Sequence, residues 1–217
     1  MNRSFPKFFA ALAVALAALT GSGAALADFD ADLLAIQTRW ADANYSPKGD
    51  AKEAAFDKLM ADAAAFTARN PGRAEPLIWE GIVLSTAAGV KGGLGALGLA
   101  KDSRARLEAA LKIDPDALQG SAYTSLGTLY HKVPGFPVGF GSDKKAKEYL
   151  EKSLAINPDG IDPNYFYGEL LFDDDDYAGA RKYLEKALQA APRPNRLSAD
   201  EGRRKEIRAL LAKIPAR

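Results

Sequence analysis

Cysteine is missing from the 217 residues, and histidine occurs once, at His131. The first absence excludes disulfides, thiol catalysis and Cys-based metal sites. The second leaves a single imidazole, placed just after Tyr130 at the end of a predicted helix, where it can cap carbonyls or meet the helix C-terminus. A charge excess is lacking as well. There are 29 basic and 28 acidic residues, and the first 27 residues hold two of the basic ones and none of the acidic. The remainder carries 27 against 28, a net charge of −1. Nucleic-acid binding needs a basic face to neutralise phosphates, and membrane-surface attachment needs lysine clusters; neither is present. No G-x-S-x-G nucleophile motif occurs. The glycine-rich VKGGLGALG has its lysine before the glycines, so it is not a P-loop, and no strand precedes it for a dinucleotide fold.

What the N-terminus does contain is an export signal. Arg3 and Lys7 form a basic start, FFAALAVALAALT an apolar stretch, and Ala25-Leu26-Ala27 a small-residue cleavage site. The apolar run stops at Gly21-Ser22-Gly23, short of the ~20 residues of a membrane span. The expectation is a periplasmic protein cleaved after Ala27, with no membrane span afterwards. Its core of about 190 residues must hold the fold without disulfides.

The rest of the chain repeats itself. Helical stretches end at Asn70-Pro71, Asp114-Pro115, Asn157-Pro158 and Ala191-Pro192, and the last interval is 34 residues. Within it, Gly168, Ala180, Leu184, Ala187 and Pro192 fall at relative positions 8, 20, 24, 27 and 32. Small residues suit positions 8, 20 and 27, where two helices of a hairpin cross closely. The preceding unit repeats this with Tyr123, Leu126, Gly127 and Tyr130, then Ala146, Leu150, Ser153 and Pro158. It has seven extra residues in VPGFPVGFG and two more near GSAY. The unit before has Trp79, Gly81 and Leu84, then Leu107, Ala110 and Pro115, with ten extra residues in AGVKGGLGALGLAK, residues 88–101. A more degenerate pair covers 29–71, with Phe56, Leu59, Ala63 and Phe66 on one helix face. Ser198-Ala199-Asp200-Glu201 reads as a capping box opening a final helix over 198–214. Ile207, Leu210 and Leu211 line one side of it, and Arg203, Arg204, Lys205 and Arg208 the other.

These residues resemble the tetratricopeptide-repeat (TPR) superfamily across nearly the whole chain after residue 27. The resemblance implies an all-α solenoid of helical hairpins, with repeats at about 74–115, 116–158 and 161–192. It adds two glycine-rich loop insertions and a C-terminal capping helix. It also implies a non-enzymatic scaffold that needs no cofactor and binds a protein or peptide partner in its concave groove. The export signal together with PGFPVGFGSDKKA and NPDGIDPNYFYG is similar to the TatT-like proteins associated with TRAP-type transporters. That likeness implies transporter components as partners, or a solute-binding accessory role.

Stacking places the turns between first and second helices along one edge. The 88–101 and 133–143 segments and the turn Asp173-Asp174-Asp175-Asp176 should therefore be neighbours. Lys91, Leu94, Leu97, Phe136, Val138 and Phe140 are the candidate binding residues of that edge, either as a recognition surface or packed against each other. Tyr165 and Tyr167 are candidates for the groove, because the aromatics of Asn164-Tyr165-Phe166-Tyr167 cannot all face one way on a helix. The Asp run fails the EF-hand pattern, with Ala178 where glycine is required and Leu184 where glutamate belongs. It remains the weak candidate for a cation and reads more simply as a solvated turn next to a helix N-terminus.

Overall fold

The computed structural model describes the backbone of residues 15–46 and 48–215, and side chains from Asp28 onward except Leu94. Residues 1–14, the first part of the expected export signal, lie outside the described residues. Residues 15–27 form the first part of the first helix.

Among the described residues there are nine helices and no strand. They are α1 (Ala15–Tyr45), α2 (Asp50–Arg69), α3 (Ala74–Lys91), α4 (Gly93–Ile113), α5 (Ala117–Lys132), α6 (Asp143–Ile156), α7 (Ile161–Asp173), α8 (Tyr177–Leu188) and α9 (Leu197–Leu211). The residues before the prolines stop the helices as their chemistry requires: Asn70, Asp114 and Asn157 are the C-caps of α2, α4 and α6. No described helix is long and apolar enough to cross a membrane.

Consecutive helices pair as antiparallel hairpins, and the repeat pattern explains how. In three hairpins a glycine of the first helix lies under a leucine of the second. A Cβ on Gly81 would sit 2.7 Å from Leu107 Cγ, on Gly127 2.6 Å from Leu150 Cγ, and on Gly168 2.9 Å from Leu184 Cγ. All three leucines are fully buried. The glycines thus set the interhelical distance, and any side chain there would push the hairpin apart. The odd-numbered helices form an inner row in which α1, α3, α5, α7 and α9 touch in succession, and each even-numbered helix packs against its odd-numbered neighbours. The core follows this order in three clusters: one over α1–α3 with Phe56, Phe66 and Trp79, one over α3–α7 with Ile78, Leu126 and Leu150, and one over α7–α9 with Leu184 and Ile207.

Three features depart from the sequence expectations. Residues 88–101 are not a loop. α3 continues ten residues beyond Gly81, where α7 continues five beyond Gly168, and α4 begins ten residues before Ser103. The extra residues lengthen both helices around a sharp break at Gly92 and Gly93, each at φ +61°. Glycine alone adopts that conformation without strain.

The two residues added near GSAY produce a left-handed turn at the start of α5, with Leu118, Gln119 and Gly120 at φ 49°, 56° and 73°. For the two non-glycine residues this costs about 1–2 kcal/mol each. Asn157 Nδ2 donating to Gln119 Oε1 (3.0 Å) and Ser121 Oγ donating to the Leu118 carbonyl (2.6 Å) hold the turn.

The third departure is α9. It packs on α7 and α8 as a capping helix should, but it also reaches α1, so the inner row closes on itself. Ala199 joins the N-terminal core cluster. The Tyr45 ring lies on Gly202, with its hydroxyl 3.4 Å from Glu206. No capping box forms at Ser198. Asp200 is fully buried and accepts from the Arg193 backbone N–H (2.8 Å) and Nε (2.7 Å). Arg203, expected at the solvent side, is buried against Asp162, its Nε donating to Oδ1 at 2.8 Å.

Candidate partner-binding edge

The 133–143 segment joins α5 to α6 as a closed, hydrogen-bonded loop. The N–H groups of Val138 and Gly139 donate to the Gly135 carbonyl (3.1 and 3.0 Å), that of Gly141 to Pro134 (2.9 Å) and that of Ser142 to Tyr130 (2.8 Å). The Phe136–Pro137 peptide bond is cis. Gly141 is confined: a Cβ there would collide with the Val133 carbonyl. Ser142 then caps α6 through the Lys145 N–H.

This wiring sorts the apolar residues of the loop into two sets. Phe140 turns inward, packing edge-on against Tyr130 at 5.4 Å between centroids, with the Arg104 guanidinium 4.4 Å over its ring. Val133 packs with it on the central core. Phe136 and Val138 turn outward and are 93% and 66% exposed. Mutual packing and an exposed surface therefore coexist in nine residues.

The edge itself assembles as the repeat geometry requires. Leu97, near the start of α4, lies against the 139 position of the loop. On the other side, His131 Nε2 is 2.8 Å and Lys132 Nζ 2.9 Å from Asp173 Oδ2, tying the end of α5 to the α7–α8 turn. Burial of Asp173 opposes its ionisation, but the Lys132 and His131 hydrogen bonds outweigh it and hold the carboxyl below its ordinary range.

The remaining aspartates work within the turn. Asp174 is the C-cap of α7, Asp175 takes φ +62° and accepts from the Tyr177 hydroxyl (2.5 Å), and Asp176 caps α8 by accepting from the Gly179 N–H (2.9 Å). Among the described residues, no group of three or more His, Asp or Glu side chains is placed to hold a metal.

Three of the sequence candidates stand elsewhere. Lys91 points to α2, with Nζ 2.7 Å from Asp57 and 3.3 Å from Glu53. It holds the long hairpin to its predecessor and does not face the loop. Tyr165 and Tyr167 are buried. Tyr165 lies under Arg203, whose guanidinium is 4.4 Å from its ring and 4.5 Å from that of Phe166, so α9 covers the inner face here. Tyr167 packs on Tyr183 at 4.7 Å with its hydroxyl on Glu151; burial and then Glu151 push its hydroxyl up to about 12. Leu94 is in α4, and its side chain lies outside the described residues.

Sequence reasoning missed the ion network behind α9. Asp162 meets Arg193 Nη1 (2.6 Å) and Arg203 Nε (2.8 Å), and Arg203 meets Glu206 (2.7 Å). Burial would raise the Asp162 pKa, but the two arginines reverse that and hold it far below the usual carboxylate range. The partners are 31 and 41 residues away, and only the curvature of the inner row brings them together. A cleft of about 620 Å³ is lined by Lys52, Glu53, Ser85 and Thr86 between α2 and α3, away from the 133–143 loop.

Comparison with known proteins agrees with this architecture. Residues 144–214, from α6 to α9, match the tetratricopeptide repeat family. Among solved structures, the crystal structure of a thermophilic TPR protein from Thermus thermophilus is similar at 16% identity and a TM-score of 0.56. The match covers 89% of this chain and 96% of that one. No curated protein sequence matches. The repeat match covers the last four helices, and the likeness to the solved structure extends the shared fold over most of the chain.

Proposed function

We propose that the protein is exported to the periplasm, cleaved after Ala27, and acts there as a non-enzymatic adaptor that binds a protein or peptide through the edge formed by the 133–143 loop. The observation that carries this reading is the pair Phe136 and Val138, bare to solvent on a loop whose backbone is fixed by its own hydrogen bonds. Phenylalanine is among the aromatic residues enriched at the cores of protein interfaces and scarce on bare surfaces. Because the loop is already ordered, little conformational entropy remains to be lost on association.

The groove is a weaker candidate than the edge, since α9 and Arg203 cover its aromatics at Tyr165 and Phe166. A solute-handling role in a TRAP-type transporter would use an enclosed pocket between the two expanded turns. Two clefts lie elsewhere, between α2 and α3 and along α8, and the protein-binding reading rests on the exposed loop residues.

A photo-crosslinking amino acid at position 136, introduced in the native host, tests the proposal. A discrete crosslinked protein that vanishes when Val138 is changed to Asp is expected. Crosslinks no different from those of a control probe at Lys58 would sink it.

A further inference from the structure

A row of aromatic side chains runs along α5, α6 and the loop that joins them. Phe140 meets Tyr130 at 5.4 Å, Tyr130 stacks on Tyr149 at 5.6 Å, and Tyr149 meets Tyr123 at 6.1 Å. Tyr123, Tyr149 and Phe140 are half-buried, so the ladder forms the floor of an outward-facing strip. Cations rim it: Arg104 over Phe140, Lys145 5.0 Å from the Tyr130 ring, and Lys152 5.7 and 5.8 Å from Tyr123 and Tyr149. Arg104 has a carboxylate partner in Glu108 at 3.6 Å. Lys145 and Lys152 form no ion pair among the described residues, and both are exposed.

We propose that this ladder is a docking strip for an acidic, extended polypeptide segment carrying an apolar side chain, continuing the surface that Phe136 and Val138 begin. The inference rests on the adaptor reading and specifies its partner. Two features argue for that occupant. The free ammonium groups over the rings complement carboxylates, while the rings themselves accept aliphatic or aromatic groups. Successive rings are 5.4, 5.6 and 6.1 Å apart, somewhat under the ~6.6 Å between alternate side chains of an extended chain.

The test is selection of a phage-displayed random dodecapeptide library on the purified protein. The Lys145→Glu/Lys152→Glu double variant and, separately, Phe136→Ser serve as counter-selections, with unchanged thermal unfolding showing that each variant is folded. The expected outcome is a set of peptides rich in Asp and Glu around an apolar residue that bind the double variant at least tenfold more weakly. Peptides that the double variant binds as well as the parent, enriched peptides without acidic bias, or no enriched peptide at all would overturn the strip. Clones lost on Phe136→Ser but kept on the lysine variant would overturn it while leaving the adaptor reading intact.

Discussion

The two expanded turns occupy the same place in adjacent repeats and resolve their extra residues in opposite ways. Residues 88–101 hold five glycines yet remain helical to either side of Gly92-Gly93. Residues 133–141 hold three glycines and form a loop. Proline accounts for the difference. Glycine in a helix costs about 1 kcal/mol relative to alanine, which the buried neighbours Ala88 and Ala100 help to offset. Pro134 and Pro137 cannot donate the helical hydrogen bond and clash with the preceding turn, a penalty of about 3 kcal/mol each. The two segments also support one another, because the lengthened α4 brings Leu97 and Arg104 against Gly139 and Phe140.

The sharpest way to break this comparison is one substitution made in both segments. Gly141→Ala drives a methyl group into the Val133 carbonyl and should destabilise the protein by about 2–3 kcal/mol in urea denaturation. Next in size, Phe140→Ala removes the ring held between Tyr130 and Arg104. Being half-buried, it should cost about 1.5–2 kcal/mol, with Tyr130 freed to broaden in NMR spectra. Gly98→Ala should act in the opposite sense. Its Cβ meets nothing within 4 Å and the position is helical, so a gain of about 0.5–1 kcal/mol is expected. A loss at Gly98 as large as that at Gly141 would mean the two segments are not the different structures described.

Much of the architecture is legible in the sequence because it is local. The glycine and leucine positions of the repeat predict the contacts of Gly81, Gly127 and Gly168, and the Asn-Pro and Asp-Pro pairs mark helix ends. The glycine-rich segment reads as a loop but is helical, because glycine count is a weaker helix breaker than proline and the flanking leucines and alanines of 94–100 favour helix. At the edge, the exposed pair Phe136 and Val138 and the inward Phe140 all stand out in the sequence, but nothing in their order tells which way each points; the hydrogen bonds of Gly135, Pro134 and Tyr130 decide it. Lys91, Tyr165 and Tyr167 lie away from their expected places because their partners, Asp57, Arg203 and Glu151, come from other helices. A superhelix whose last helix meets its first cannot be foreseen from a 34-residue period.

A smaller effect tests the link between the loop and the next turn. The Asp173 carboxyl is held low by Lys132 and His131. Its contribution is therefore complete above the ordinary carboxylate pKa of about 4 and is lost as pH falls through the lower folded value. Asp173 is partly exposed, so solvent screening limits the effect to about 0.5–1 kcal/mol. Stability measured from pH 6 down to pH 2 should fall slightly less steeply for Asp173→Asn than for the parent. A parallel profile would show that the α5–α7 ion pair contributes nothing.

The smallest expected change in stability is at Phe136. A side chain 93% exposed has almost no burial to lose, so Phe136→Ala should alter unfolding by less than about 0.5 kcal/mol. That near-zero value is what separates it from Phe140, four residues away in the same loop. If the two phenylalanines cost the same, both are core and the loop presents no surface. If Phe136→Ala leaves stability alone while Phe140→Ala does not, the loop combines an anchor in the fold with a ring that the fold does not use, and binding remains as the role for that ring.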